Sequence, residues 1–500
     1  MTKENTLSSP PLSNQEGIAL DYASLRKLVV RDLNDMNKKN TTLRKYSKDK
    51  VLDFMKSPEL FETQLREISL YLYQFSPHYK RLINYFANML TFDYIVQPYQ
   101  LKRENINIEA YKKSYYKNLH MLEKYNFKHE FSKIMKTLFK EEIFYGYEHE
   151  NSESYFIQKL NPDFCKISTI EDGCINFSFD FTYFDKPLNK NKINGYPKEF
   201  QVKYKVYQKD TSKRWQELDS KNTICIKIED ENLDFVAPYF MNIFPSVFDI
   251  EEYKQLRKTK TKIDNYAILT QKIPVDEKNG QTNKFLIDLE TAIQFHNRAS
   301  QALPDEVGLV TSPMDFNAIK LERDKADKDH VAQAERGYYN ESGVSQVLFN
   351  SENNSSVGLN KSIITDEELC FSILRQFERW VNRKLKHKSS KTYKFKVKFL
   401  DITRFNKDEM FDRLLKAAQF SKPVKIELYA SLGNSPSAVD DMAFLENEVL
   451  GLHDKLTPLS SSHTGDNGTS NKAGAKEKDE DNLSDSGLTT RDTGANENRE

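Results

Sequence analysis

What the chain lacks narrows it first. The dipeptide Gly-Lys occurs nowhere in its 500 residues, which excludes a Walker loop and with it a P-loop motor. His129-Glu130 and His149-Glu150 are not followed by a second histidine at HExxH spacing, and there is no Gly-x-Ser-x-Gly elbow. The four cysteines, Cys165, Cys174, Cys225 and Cys370, are scattered without a CxxC pair. That pattern predicts buried thiols in a reducing compartment, not a disulfide frame or a zinc site. Nowhere do about 18 apolar residues run together as a membrane helix requires, and the opening stretch MTKENTLSSPPLSN has no signal-like apolar run. The expectation is a soluble protein made inside the cell, with no membrane partner. Two tryptophans and 16 glycines argue against a repeat or fibrous class. Charge of either sign is not in excess: Lys+Arg and Asp+Glu are 74 each, so any electrostatic steering must come from local patches.

What is present is long and aromatic-rich. The length exceeds what one ordinary core serves and predicts two to four domains; 32 Phe and 26 Tyr supply cores and interfaces. Residues 1–40 read as a loosely held arm with a short amphipathic piece at Tyr22–Leu33. Helical spacing of Phe61, Leu65, Ile68, Leu72 and Phe75 predicts one helix; SPHYKRLINYFANML predicts a second, with Ser76 as N-cap and Pro77 at its first position. TFDYIVQPY reads as a strand ended by Pro98, followed by helices at 107–122 and 127–143. SYFIQKL, FCKIS and CINFSFDFTYF alternate as antiparallel strands, a helix begins near Pro197, and TICIKIED is a further strand. This first region is α+β.

A second region begins near Phe248. DIEEYKQLRKTKTKIDNY is helical, with Ile250, Tyr253 and Ile263 on one face, and runs into the β-type segment YAILTQKIP. A small module with a helix at 286–299 and the strand EVGLVT follows, and a charged helix brings the chain back. The polar stretch from Ser351 to Asn360 then meets a helix at 361–386 with the stripe Ile364, Leu374, Phe377, Trp380, Val381 and Leu385. Strands at 391–403 and three short helices between 407 and 452 complete the folded part. From Thr457 the chain has almost nothing apolar and is expected to be disordered.

No catalytic or metal set emerges, and no cofactor is expected. DEDNLSDSG near 479 breaks the calcium-loop pattern, and the pairs Glu367-Glu368 and Asp440-Asp441 suit helix faces or first turns favoured by the helix dipole. The basic row Lys254, Arg257, Lys258, Lys260 and Lys262 is the candidate phosphate-facing surface, though many exposed helices carry such rows.

The order of these elements resembles that of portal proteins of tailed bacteriophages. SPHYKRLINYFANMLTFDYIV is similar to the family's N-terminal wing helices, and NGYPKEFQVKYKVY with FMNIFPSVFDIEEYKQL to the approach to its first stem helix. GVSQVLFNSENNSSVGLNKSIITDEELCFSILRQFERWVNRKLK resembles the channel loop and the long helix behind it, AAQFSKPVKIELYASLGNSPSAVDDMAFLENEVLGLHDKLTPL the crown, and NLSDSGLTTRDTGANENR the polar endings.

The resemblance implies an α+β portal fold: an arm at 1–40, a wing at 41–247, stem helices at 248–265 and 323–343 enclosing a clip at 266–322, and a channel loop at 344–360. A long helix and wing strands at 361–406, a crown at 407–458 and a disordered tail at 459–500 complete it. It implies a non-enzymatic ring, a dodecamer, at the unique capsid vertex of the virion, made in the host bacterial cytoplasm, through which DNA is packaged and ejected. The implied partners are other copies of the chain, double-stranded DNA, the terminase large subunit, a head-tail adaptor, and major capsid and scaffolding proteins. The implied channel-loop residues are Ser351, Glu352, Asn353, Asn354, Ser355, Ser356, Val357, Gly358, Leu359, Asn360 and Lys361. The tip offers DNA no fixed positive hold, since tight phosphate binding would stall movement. Two other readings compete: a different ring-forming virion adaptor, and a nucleic-acid-processing enzyme subunit using the basic row as its groove.

Overall fold

The computed structural model describes residues 46–101, 103–104, 106–151, 154–264, 267–274, 286–302, 307–312, 330–345, 348, 356–389 and 392–455. The expected arm and tail and the tip of the polar stretch, Ser351 to Ser355, lie outside them. The chain divides into one unit, Met1–Val439, and a second, Asp440–Glu500, of which residues up to Lys455 are described.

The first unit opens with three helices, α1 (Lys48–Met55), α2 (Glu62–Phe75) and α3 (Pro77–Ala87). Ser76 caps α3 by accepting from the Tyr79 N–H, with Pro77 at the first position, where its missing donor costs nothing. Leu65, Ile68 and Leu72 are buried as the spacing predicts, but Phe75 is 60% exposed: it is the last residue of α2 and its ring lies past the core face. Strand β1 (Tyr94–Tyr99) runs one residue beyond the expected stop at Pro98, which pairs with Phe395. β1 has a single partner strand among the described residues, so the proline removes no ladder bond on a second side.

Helices α4 (Ile108–Tyr125) and α5 (Phe127–Glu141) follow. The helix expected to reach 143 stops at Glu141, and Ile143 opens a strand absent from the sequence reading, β2 (Ile143–Glu150). Glu142, with φ of 70°, makes the reversal. β2 is the middle strand of a sheet, flanked by β3 (Tyr155–Lys159) and β7 (Thr223–Lys227). At Gly146 an added Cβ would come within 2.6 Å of Ile224 and Phe144, so only glycine fits this crossing. A second sheet orders β4 (Cys165–Glu171), β5 (Cys174–Asp180) and β6 (Trp215–Glu217), with α6 (Lys198–Lys209) packed beside it through Phe200 and Tyr204. All four cysteines are buried and free.

Helix α7 (Phe244–Asp264) starts four residues earlier than the sequence suggested. Ile250 is buried, Tyr253 is partly exposed, and the side chain of Ile263 is outside the described residues. Next come β8 (Ala267–Lys272), α8 (Leu289–Ala302) and β9 (Val307–Ser312), a βαβ unit whose two strands pair in parallel. Helix α9 (His330–Glu341) returns the chain.

The longest helix, α10 (Ser356–Lys388), begins five residues before the expected 361. Its core stripe holds Leu374, Phe377, Trp380, Val381 and Leu385, but Ile364 is 58% exposed and Ile363 is buried instead. The stripe continues backward through Cys370 to Ile363 at heptad spacing, which turns Ile364 about 100° away. Trp380 donates its indole N–H to the Thr223 carbonyl at 2.9 Å, and the Phe377 ring stacks on Phe131 at 4.2 Å. Strand β10 (Lys394–Phe399) pairs with β1, and α11 (Lys407–Gln419) and α12 (Lys425–Ser431) follow. Helix α13 (Ala438–Phe444) leads into the second unit, where a π-turn at Leu445–Val449 and α14 (Leu452–Lys455) are described.

Candidate functional site

Helices α7 and α9 form an antiparallel hairpin. Ser246, at the start of α7, donates to Glu341, the last residue of α9, and farther along Lys254 and Glu335 meet at one histidine. Among the described residues the amphipathic pattern is complete only at the base. Phe244, Val247 and Ile250 of α7 and Tyr338 and Tyr339 of α9 join the large core, with Ala334 packed against it. Lys48 of α1 holds Asp249 at 2.5 Å, fixing the first turns of α7. Beyond them apolar side chains face outward: Leu256 is 57% exposed, and on the βαβ unit Phe295 is 54% exposed, with Ile293 and Leu286 also open. A cavity of about 270 Å³ lies between the helices, lined in part by Tyr253, Ala334, Gly337 and Glu341. Gly337 faces open space: nothing lies within 4 Å of a Cβ built there.

The basic row is not uniform. Lys254 is drawn inward: its Nζ lies 3.1 Å from His78 Nε2 and 3.8 Å from Glu251. Arg257 and Lys258 are exposed, while the side chains of Lys260 and Lys262 lie outside the described residues. Lys254 is thus turned toward the body of the protein, while Arg257 and Lys258 lie on the exposed side of α7.

The candidate channel loop splits. Ser351, Glu352, Asn353, Asn354 and Ser355 are outside the described residues, whereas Ser356, Val357, Gly358, Leu359, Asn360 and Lys361 form the first turns of α10 and are helix, not loop. Gly358 costs a helix only about 1 kcal/mol relative to alanine, less than a long packed helix gains by extending. Lys361 is thus the sixth helical residue, exposed, with its carbonyl accepting from Thr365. Just beyond it α10 buries two carboxylates. Tyr85 donates to Asp366 Oδ2 at 2.8 Å, and Thr403 donates to Glu367. Burial, with Glu367 alongside, pushes Asp366 up to about 6.

A second cavity, about 560 Å³, opens beside β2 and is lined by Glu148, His149, Glu150, Pro197 and Lys384 among others. Lys384 Nζ stands 2.5 Å from Glu148 Oε2 as an ion pair, yet neither Glu148 oxygen receives a well-directed hydrogen bond. Burial pushes Glu148 up to about 7 and Lys384 down. Burial also lowers His149 to about 4, and its Nε2 sits 2.8 Å from Gln158. No cluster of three or more metal-ligating side chains occurs among the described residues.

Sequence reasoning missed His78, Glu335 and the Glu148–Lys384 pair. His78 directly follows the Ser76-Pro77 helix start, the one local signal that places it at an exposed helix end able to meet another element.

No protein-family model matches the chain, and no curated protein does. Solved structures do. A chain of the "virion of native gene transfer agent (GTA) particle" is 12% identical, with a TM-score of 0.41, over 74% of this chain and 93% of that one. A chain of the "neck of empty GTA particle" is 13% identical, with a TM-score of 0.42, over 71% of this chain and 94% of that one. Overlaps this loose and identities this low leave fold and role to be argued from the chain itself.

Proposed function

We propose that the chain is a structural, non-catalytic subunit of a portal-type ring at the head-tail junction of a phage-like particle, through which DNA is packaged and ejected. One observation carries the reading. Among the described residues, the α7–α9 hairpin joins the core only at its base, and the βαβ unit between its helices exposes Leu286, Ile293 and Phe295. Apolar side chains left open along elements with so little core of their own are what a neighbouring copy covers. A head-to-tail contact of this kind closes into a ring when the rotation between copies closes.

In this reading α7 and α9 are the stem and the βαβ unit is the clip that meets the terminase and, later, the adaptor. The channel segment is Ser351 to Ser355, with the helical Ser356–Lys361 behind it. The basic row of α7 that runs from Arg257 and Lys258 to Lys260 and Lys262 supplies the stem's positive charge toward DNA phosphates, an effect that weakens with salt.

Negative-stain images of the purified chain test this directly. Closed rings with a central hole are expected. A ring that forms but never joins DNA-filled heads in infected cells would favour another virion adaptor, and magnesium- or manganese-dependent cleavage of DNA would favour the enzyme reading.

A further inference from the structure

His78 stands where the hairpin meets the body of the first unit. It lies in the first turn of α3, and its two ring nitrogens face the two hairpin helices. Nε2 is 3.1 Å from Lys254 Nζ of α7 and 3.4 Å from Glu335 Oε1 of α9; Nδ1 is 3.3 Å from the Tyr339 hydroxyl of α9. The rings of Tyr338 and Tyr339 meet the imidazole edge-on at 6.1 and 6.3 Å. The charged groups that act on it are Lys254 and Glu251 from α7, Glu335 from α9 and Arg81 from its own helix.

A single nitrogen cannot serve Lys254 and Glu335 in the same protonation state. An ammonium is only a donor and a carboxylate only an acceptor. Neutral at Nε2, the imidazole accepts from Lys254 and keeps its proton at Nδ1 for Tyr339. Protonated, it donates from Nε2 to Glu335, and its charge repels Lys254. The Tyr339 contact survives in both states.

We propose that His78 is a partner-exchange switch that ties α3 to both hairpin helices when neutral and, on protonation, releases α7 while tightening its hold on α9. The device moves one hairpin helix relative to the other by proton uptake alone, and it stands whether or not the chain assembles into a ring.

Burial first, then Lys254, holds His78 below its ordinary value of 6.5. The sign follows. The fold takes up this proton less readily than the unfolded chain, so stability is lost as pH falls from 6.5 toward the lowered value and then levels off. The neutral, α7-tied state is therefore the resting one near pH 7.

The test is hydrogen exchange of the full-length chain across the titration of His78, followed by the imidazole carbon resonance absent from His78→Asn. After correction for the intrinsic pH dependence of exchange, amides in α7 around Lys254 should exchange faster below the His78 midpoint than above it. Amides in α9 around Glu335 should hold or slow. Lys254→Gln should raise the midpoint and remove the α7 response, and Glu335→Gln should lower the midpoint and leave α9 without its gain. If His78→Asn fails to fold, the wild-type exchange profile and the two charge variants still decide. Exchange in α7 that ignores the His78 midpoint, or α7 and α9 opening together, would overturn the proposal.

Discussion

The body around α10 and the hairpin of α7 and α9 are built from similar residues to opposite ends. In the body, Phe377 and Trp380 both meet Phe131 and all three are sealed, Trp380 to 1% exposure, and polar groups of α10 reach across it: the Trp380 indole to Thr223, Arg383 to Asn176, Gln376 to the backbone of Lys227. Along the described part of the hairpin the cover thins: past Ile250, Tyr253 is 40% exposed and Leu256 57%, and before Tyr338 the side chain that packs against the core is the small Ala334. A closed core specifies a fold by itself. An amphipathic hairpin with an uncovered face specifies a partner. In the reading proposed above, the difference marks where folding ends and assembly begins.

The largest effect that sharpens this contrast is at the centre of the body. Trp380→Ala should cost about 3–5 kcal/mol, removing a fully buried ring and the indole's hydrogen bond to the Thr223 carbonyl. Chemical denaturation measures it, and a loss near zero would mean α10 is not the central element. Gly146→Val comes next. Its added carbons collide with Ile224 and Phe144 and should cost about 1–3 kcal/mol or more, read as a lowered melting temperature.

Much of the body was legible because its signals are local. Ser76-Pro77 announces α3, and the i, i+3, i+4 spacing of Phe377, Trp380 and Val381 announces α10. β2 was not, because Ile143-Phe144-Tyr145 continues the apolar run of α5 and the break is a single residue, Glu142, in a positive-φ conformation that glutamate rarely adopts. The start of α10 was misplaced for a related reason. Ser356, Gly358 and Asn360 look like loop by propensity, but propensity is a weak prior against the cooperativity of a 33-residue helix. The His78 cluster could not be read at all: its partners lie 176 to 261 positions beyond His78 and reach it only through the hairpin.

Smaller effects separate the two regions further. Gly337→Ala puts a methyl group into open space and replaces a poor helix former, so the isolated chain should gain about 1 kcal/mol. If a neighbouring helix approaches there, assembly should weaken at the same time; melting and sedimentation measured together read the two signs. Asp366 gives the least. Its raised value, about 6 against 3.8, means its contribution is present below 3.8 and is lost as pH rises through about 6. Asp366→Asn, which keeps an oxygen for the Tyr85 hydroxyl, should flatten that part of the stability profile in melts between pH 4 and 7.

The central claim, that the open apolar face of the hairpin and its βαβ unit is covered by another copy, is tested most directly by mass. Mass photometry of the wild-type chain beside the double variant Leu256→Ser, Phe295→Ser should show a closed assembly for the first and single chains for the second. Both should melt within about 0.5 kcal/mol of one another when compared as monomers, since exposed positions contribute little to the fold. A wild-type chain that stays single, or a double variant that assembles as fully as the wild type, would contradict the account.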